Sequence, residues 1–378
     1  MLPYSESFFI DRSSAIAGKM LMSFVQALLI CSTFAISNPT FSQPLPHLDL
    51  WRENSPFCFV HTENRIPILV FTCNEQSVGS ITGEFDTKLC FPTKGGEDMA
   101  QPCNDGDMTL FNGLLCSANI PEGCDAVVQS QDLKTGQWFR SPRRMIAGPA
   151  NVMNSFSPDM AIGLYHWLVS SPTPQNKAKF EAWINWLSMN KRCLDAECKR
   201  QWPRFCPDDD VDQPNAEYGC TMRPGDLATL GVVTEKMGIV IRDKQIRELT
   251  EEWRASATTL AWISAHTNEV GYRLHLAASV LYLYKRLGIK EDILNDAELS
   301  LVTRQPKNPF FAFIYGDKVR AKSLVSSLCP ANQASIVPVG QRDEWSWERK
   351  DSDEAWKRSM LWECIFISSL LQERQRSE

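Results

Sequence analysis

The sequence lacks the motifs that mark most enzymes. It contains no P-loop, no G-x-G-x-x-G and no G-x-S-x-G, which argues against nucleotide enzymes and α/β-hydrolases. No C-x-x-C pair occurs, and the five histidines (His47, His61, His166, His266 and His275) are scattered, so no zinc or other metal site is expected. No excess of basic charge exists: 39 basic residues face 45 acidic ones, for a net charge of −6, so no nucleic-acid partner is expected. No fixed repeat of solenoid length runs through the chain. An Asn-x-Ser/Thr sequon with a permitted middle residue is also missing, which favours a bacterial secreted protein over a glycosylated one. No organic cofactor is called for.

What is present is an ordinary globular composition. With 378 residues, 43% of them hydrophobic, the chain can bury about 75% of its unfolded surface without staples. Its thirteen cysteines are nonetheless too many for a typical cytosolic protein. One of them, Cys31, lies in an apolar run from Met20 to Ile36, behind Lys19 and ahead of Ser37-Asn38-Pro39. This is the layout of a secretory signal. A membrane anchor is the competing reading, at the short limit of about 17 residues for crossing a bilayer. Residues 1–42 are read as a signal peptide with an N-terminal extension. The mature chain then begins between Asn38 and Pro44, with a secreted or periplasmic location and no stable membrane insertion after cleavage.

Setting Cys31 aside leaves an even twelve cysteines, which reads as disulfides formed in an oxidising compartment. Spacing does not fix their connectivity. Local pairing is expected within the groups 58/73/90, 103/116/124 and 193/198/206/220, with Cys329 and Cys364 late in the chain. Residues 43–104 read as a disulfide-linked segment with a β-hairpin, because Phe57–Val60 and Ile66–Phe71 are β-forming runs around a turn at residues 61–65.

From about residue 105 the hydrophobic period changes from 2 to 3.6. Helices are expected over Asp107–Cys116, Ser157–Ser170, Asn176–Met189, Asp226–Met237, Arg242–Ala265, Tyr272–Leu287, Glu291–Thr303, Asp317–Leu328 and Asp353–Gln372. Short loops between them favour antiparallel hairpins. The fold class expected is mainly α, with residues 105–378 forming an (α/α) helical-hairpin toroid behind the small β-containing segment. The stretches SPDMAIGLYHWL, GYRLHLAASVLYLYKRLG, KNPFF and WSWERKDSDEAWKRSMLWECIF carry a resemblance. Together they look like secreted proteins of the six-hairpin (α/α)-toroid type, over about residues 100–372. That resemblance implies a glycosidase, a hydrolase of unsaturated sugars or a polysaccharide lyase, at the level of fold alone.

Three expected helices begin with an aspartate followed by an apolar residue: Asp107, Asp159 and Asp226. In a toroid, alternate helices run the same way and gather their starts on one rim. Paired carboxylates there suit glycosidic hydrolysis, one protonated as acid and one ionised as base or nucleophile, with Asp107 and Asp159 the first choices for the pair and Asp226 and His275 in reserve. The plainer reading is that aspartate simply favours a helix start. Arg273 and His275, on an otherwise apolar helix begun by Tyr272, suit binding an acidic group and proton transfer, or a core histidine with a paired arginine. Trp138 and Arg140, in the loop QWFRSPRR, and Trp345 and Trp347 are candidates for stacking and binding a sugar, or for packing. The acidic loop Asp208–Asp212 alternates like a calcium loop, but Gln213 and Gly219 stand where that loop needs glycine and glutamate. The expected function is a secreted or periplasmic carbohydrate-active enzyme acting on a polysaccharide or glycoside. The alternative is a non-catalytic glycan- or protein-binding protein on the same fold.

Overall fold

The structure, a computed structural model, describes residues 56–62, 72–73, 85–95, 103–147, 156–194, 196–199, 201–206, 221–329 and 361–373. The signal-like run, the acidic loop, Trp345 and Trp347 lie outside these residues. So does the expected strand from Ile66 to Phe71. Strand β1 (Pro56–Thr62) pairs antiparallel with β2 (Thr72–Cys73) on one side and β3 (Phe85–Pro92) on the other. Two further short pairs follow: β4 (Lys94–Gly95) with β5 (Cys103–Asn104), and β6 (Lys191–Cys193) with β7 (Gln201–Pro203).

The remainder is mainly helical, with thirteen helices among the described residues. They are α1 (Met108–Ser117), α2 (Pro121–Gln129), α3 (Pro142–Ala147), α4 (Pro158–Ser170), α5 (Pro174–Met189), α6 (Pro224–Met237), α7 (Lys244–Arg254), α8 (Ala257–Thr267), α9 (Tyr272–Arg286), α10 (Asp292–Arg304), α11 (Pro309–Tyr315), α12 (Lys318–Leu328) and α13 (Leu361–Glu373). Six of these open on proline, whose fixed φ and missing N–H suit a first helical position. Three of the proline starts, at Pro121, Pro142 and Pro309, were not expected as helices from periodicity. The single helix expected over Arg242–Ala265 is instead two. Ile246 and Thr250 of α7 are buried and α7 packs on α6, whereas α8 buries Ala257, Ala261 and Ala265 and packs on α9 and α10 as well as α6, with the chain turning at Ala255-Ser256 between them.

Helices α4 and α9 are central. α4 touches α1, α2, α5, α6 and α9, while α9 touches α4, α8, α10 and α11. The last helix, α13, packs on α11, α12 and α1. A closed circuit of contacts thus runs α1–α4–α9–α11–α13–α1. Aromatic rings fill its interior. Phe111 lies 4.6 Å from Trp362, Trp362 5.5 Å from Phe366, Phe366 5.2 Å from Phe310, and Phe310 5.9 Å from Tyr282. Tyr282 in turn stacks on His166 at 5.4 Å. His166 is fully buried and donates from Nε2 to the Ser279 carbonyl at 3.0 Å. Burial first, and the nearby Arg286 charge second, push its pKa down to about 3, so it stays neutral.

The contact between α1 and α4 is of another kind. A β-carbon on Gly113 would lie 2.0 Å from the Gly163 carbonyl oxygen, and one on Gly163 would lie 2.2 Å from that of Thr109. The two backbones touch with no side chain between them. Cys116–Cys124 then ties the end of α1 to α2, Cys193–Cys198 closes a short loop, and Cys329–Cys364 joins the end of α12 to α13. No helix among the described residues is long and apolar enough to cross a membrane.

Candidate functional site

The α1–α4 backbone contact brings two helix starts together. Asp107, the N-cap of α1, adopts a left-handed conformation with φ 60°. Its carboxylate is ion-paired with Arg140. Arg140 is delivered by residues 138–141, which are stitched to α1: the Thr109 N–H donates to the Arg140 carbonyl at 2.8 Å, and the Thr109 hydroxyl donates to that of Phe139 at 2.5 Å. Asp159 is the second residue of α4. Its two oxygens accept from the hydroxyls of Ser157 and Tyr272. Asp226 is the third residue of α6, and its Oδ2 accepts the Arg223 N–H at 2.7 Å, one arm of a capping box.

A cavity of about 190 Å³ opens where α4 and α6 begin. Asp159, Ile162 and Tyr165 of α4 and Asp226 and Thr229 of α6 form one side. Leu260 and Ser264 of α8 and Leu276, Val280 and Tyr284 of α9 form the other. Cavities of ~150 Å³ hold a benzene ring, so the space accommodates a ring-sized group. A carboxylate at a helix start is ordinarily held low by the dipole. Here burial wins. It pushes the Asp226 pKa up to about 6, with the Asp159 charge adding and the Arg223 N–H and charge opposing. Burial raises Asp159 too, helped by the Asp107 charge and resisted by the Ser157 and Tyr272 hydroxyls and Arg140. Deeper still, the Thr229 hydroxyl donates to the Gly225 carbonyl at 2.8 Å, so at 3.0 Å it accepts from Tyr284. The Tyr165 hydroxyl is buried without a hydrogen-bond partner among the described residues. Both phenols are pushed up by burial, Tyr284 to about 12 and Tyr165 well above its ordinary value.

No protein-family model, curated protein or solved structure matches this chain. The roles of these side chains therefore rest on their own chemistry.

Of the candidate residues, Asp159 and Asp226 line the cavity, and Asp107 stands behind Asp159 without lining it. Tyr272 joins them through Asp159. His275 does not. It is fully buried, donating from Nδ1 to the Gly271 carbonyl at 2.9 Å and accepting at Nε2 from Asn308 at 2.9 Å. The cavity stripe of α9 is Leu276, Val280 and Tyr284. His275 is one position, or about 100°, around the helix, on the interior stripe with Ser279 and Tyr282. Arg273 is exposed and does not line the cavity. Trp138 is no sugar platform: it is fully buried, donates to the Val127 carbonyl at 2.8 Å and meets Trp167 edge-on at 5.4 Å, leaving no face for a ligand. Arg140 is committed to Asp107 rather than held out to a substrate. Sequence reasoning missed Tyr165, Thr229 and Tyr284. Their signal was a polar residue three or four places along the same stripe as Ile162, Asp226 and Val280. Among the described residues, no three His, Cys, Asp or Glu side chains gather as a metal set.

Proposed function

We propose that this protein is a secreted or periplasmic carbohydrate-active enzyme whose acid–base pair is Asp159 and Asp226. The observation that carries this reading is the meeting of two carboxyls from different helices at one cavity, each with its pKa raised. The Asp159 charge opposes ionisation of Asp226, so there is a pH range in which one carboxyl keeps its proton while the other is ionised. In that range one is the acid for the leaving oxygen and the other the base or nucleophile. Hydrolysis fits better than lyase chemistry, because the carboxylates repel the uronates that lyases act on. The closed circuit α1–α4–α9–α11–α13 supports an (α/α) toroid as the architecture. Its interior is filled with aromatic rings, so a substrate meets the helix starts rather than a central channel.

The same filling, with a cavity fit for one ring, favours the second reading of a non-catalytic glycan-binding protein. A screen of nitrophenyl glycosides and a glycan panel separates the two. Turnover is expected, with a bell-shaped pH profile and a drop of about 10²–10⁴-fold in kcat/KM for Asp159→Asn and Asp226→Asn. Binding without turnover by the folded wild type selects the second reading.

A further inference from the structure

We infer that the cavity at the starts of α4 and α6 takes a small organic cation, a protonated primary amine carried on one compact ring or branched carbon skeleton. The inference deepens the carbohydrate reading and rests on it for the sugar form of that ligand, an amino sugar; the cation itself follows from the cavity alone.

Charge is the first argument. Asp159 and Asp226 both line the space, and no lysine does. Arg140 is paired with Asp107, and Arg223, the one cationic side chain lining the cavity among the described residues, is exposed. A half-buried carboxylate pair is costly until a countercharge arrives. A ligand anion adds to that cost, and a neutral sugar leaves it standing. The second argument is the hydrogen-bond inventory. An ammonium has three donors and no acceptor. The Tyr284 proton is spent on Thr229, which leaves the phenol oxygen as an acceptor. The buried Tyr165 hydroxyl, in a residue that lines the cavity, has no hydrogen-bond partner among the described residues. Carboxylates and phenol oxygens together form an acceptor set, and a phenol ring adds a face that attracts a cation. The third argument is the opposite wall, where Leu260, Leu276 and Val280 offer an apolar surface to a carbon skeleton.

The titratable groups facing Asp226 are Arg223, Asp159, Tyr165 and Tyr284. An ammonium entering while the carboxyl pair holds a proton displaces that proton to solvent. Calorimetry with glucosamine, glucose and isobutylammonium tests this, using two buffers of different ionisation heat near pH ~5.5. Glucosamine is expected to bind ~10-fold or more tightly than glucose and to release a proton. Asp226→Asn, which keeps an acceptor for the Arg223 N–H, should weaken glucosamine by ~10-fold or more, and Tyr165→Phe should weaken it by a few-fold. Equal binding of glucose and glucosamine, or amine binding untouched by both variants, overturns the inference. Isobutylammonium binding as tightly as glucosamine keeps the cation and removes the sugar, so the carbohydrate reading fails alone. Turnover of neutral glycosides with no preference for an amine does the reverse.

Discussion

Two carboxyls that burial pushes up in pKa, Asp105 and Asp226, have met opposite fates. Asp105 is 2% exposed and precedes α1. It accepts from Ser141 at 2.6 Å, from Arg143 at 2.6 and 2.8 Å and from Arg144 at 3.3 Å. Burial drives its pKa up, but the Arg143 hydrogen bonds and the two arginine charges outweigh it, and the group ends below its ordinary value. Asp226 is half-buried, accepts one backbone N–H beside the single Arg223 charge, and ends near 6. Burial pushes both carboxyls up, so burial alone does not decide which of them is chemically available. The number of cations supplied with each decides. Asp105 is a bolt that fastens the loop after Trp138 to the base of α1, and Asp226 is a carboxyl left with its proton within reach.

The sharpest way to break this contrast is Asp105→Ala. It removes the carboxylate shared by Arg143, Arg144 and the buried Ser141 hydroxyl, and should cost about 3–4 kcal/mol, toward the low end of a broken buried pair because Arg143 is a third exposed. Denaturant unfolding measures it, and a loss under 1 kcal/mol would remove the structural role. Asp226→Asn should act in the other direction. A carboxyl whose folded pKa is raised contributes stability below its unfolded pKa and loses it as pH rises through the folded value. Wild type should therefore lose up to about 3 kcal/mol between pH ~4 and pH ~8 from this group, and the asparagine variant should be more stable by that amount at the upper end and level at the lower. Asp105, lowered, has the opposite sign: its contribution is present above its unfolded pKa and lost as pH falls through the folded one. A variant Asp226→Asn that destabilises at pH ~8 would contradict the assignment. The smallest effect belongs to Tyr272→Phe. It removes a hydroxyl donor from Asp159, should cost about 1–2 kcal/mol, and should push the Asp159 pKa further up, visible in a carboxyl titration by NMR. No movement of that titration would separate Tyr272 from the site.

How far the sequence carried these conclusions varies by element. The helix starts were legible because proline and aspartate report local backbone needs, as at Ser157-Pro158-Asp159. The convergence of Asp159 with Asp226 followed only as an expectation from the toroid. The fates of His275 and Trp138 were not legible. A one-residue step around α9 separates the cavity from the interior, and periodicity alone does not say which stripe faces which. The arginines of QWFRSPRR look like binding groups in sequence because their partners, Asp105 and Asp107, lie more than thirty residues away. The break at Ala255-Ser256 was hidden because both halves are good helix.

The touching backbones of Gly113 and Gly163 also bear on motion. Helices that meet through side chains slide as rotamers change, but α1 and α4 have no such layer at their crossing. They move as one rigid jaw, with Asp107 and Asp159 fixed along its edge. Whatever adjustment the cavity makes to an occupant falls to its other walls, α6 with Asp226 and, across the cavity, α8 and α9. The spacing of the carboxyl pair is then set by where α6 rests against that rigid unit.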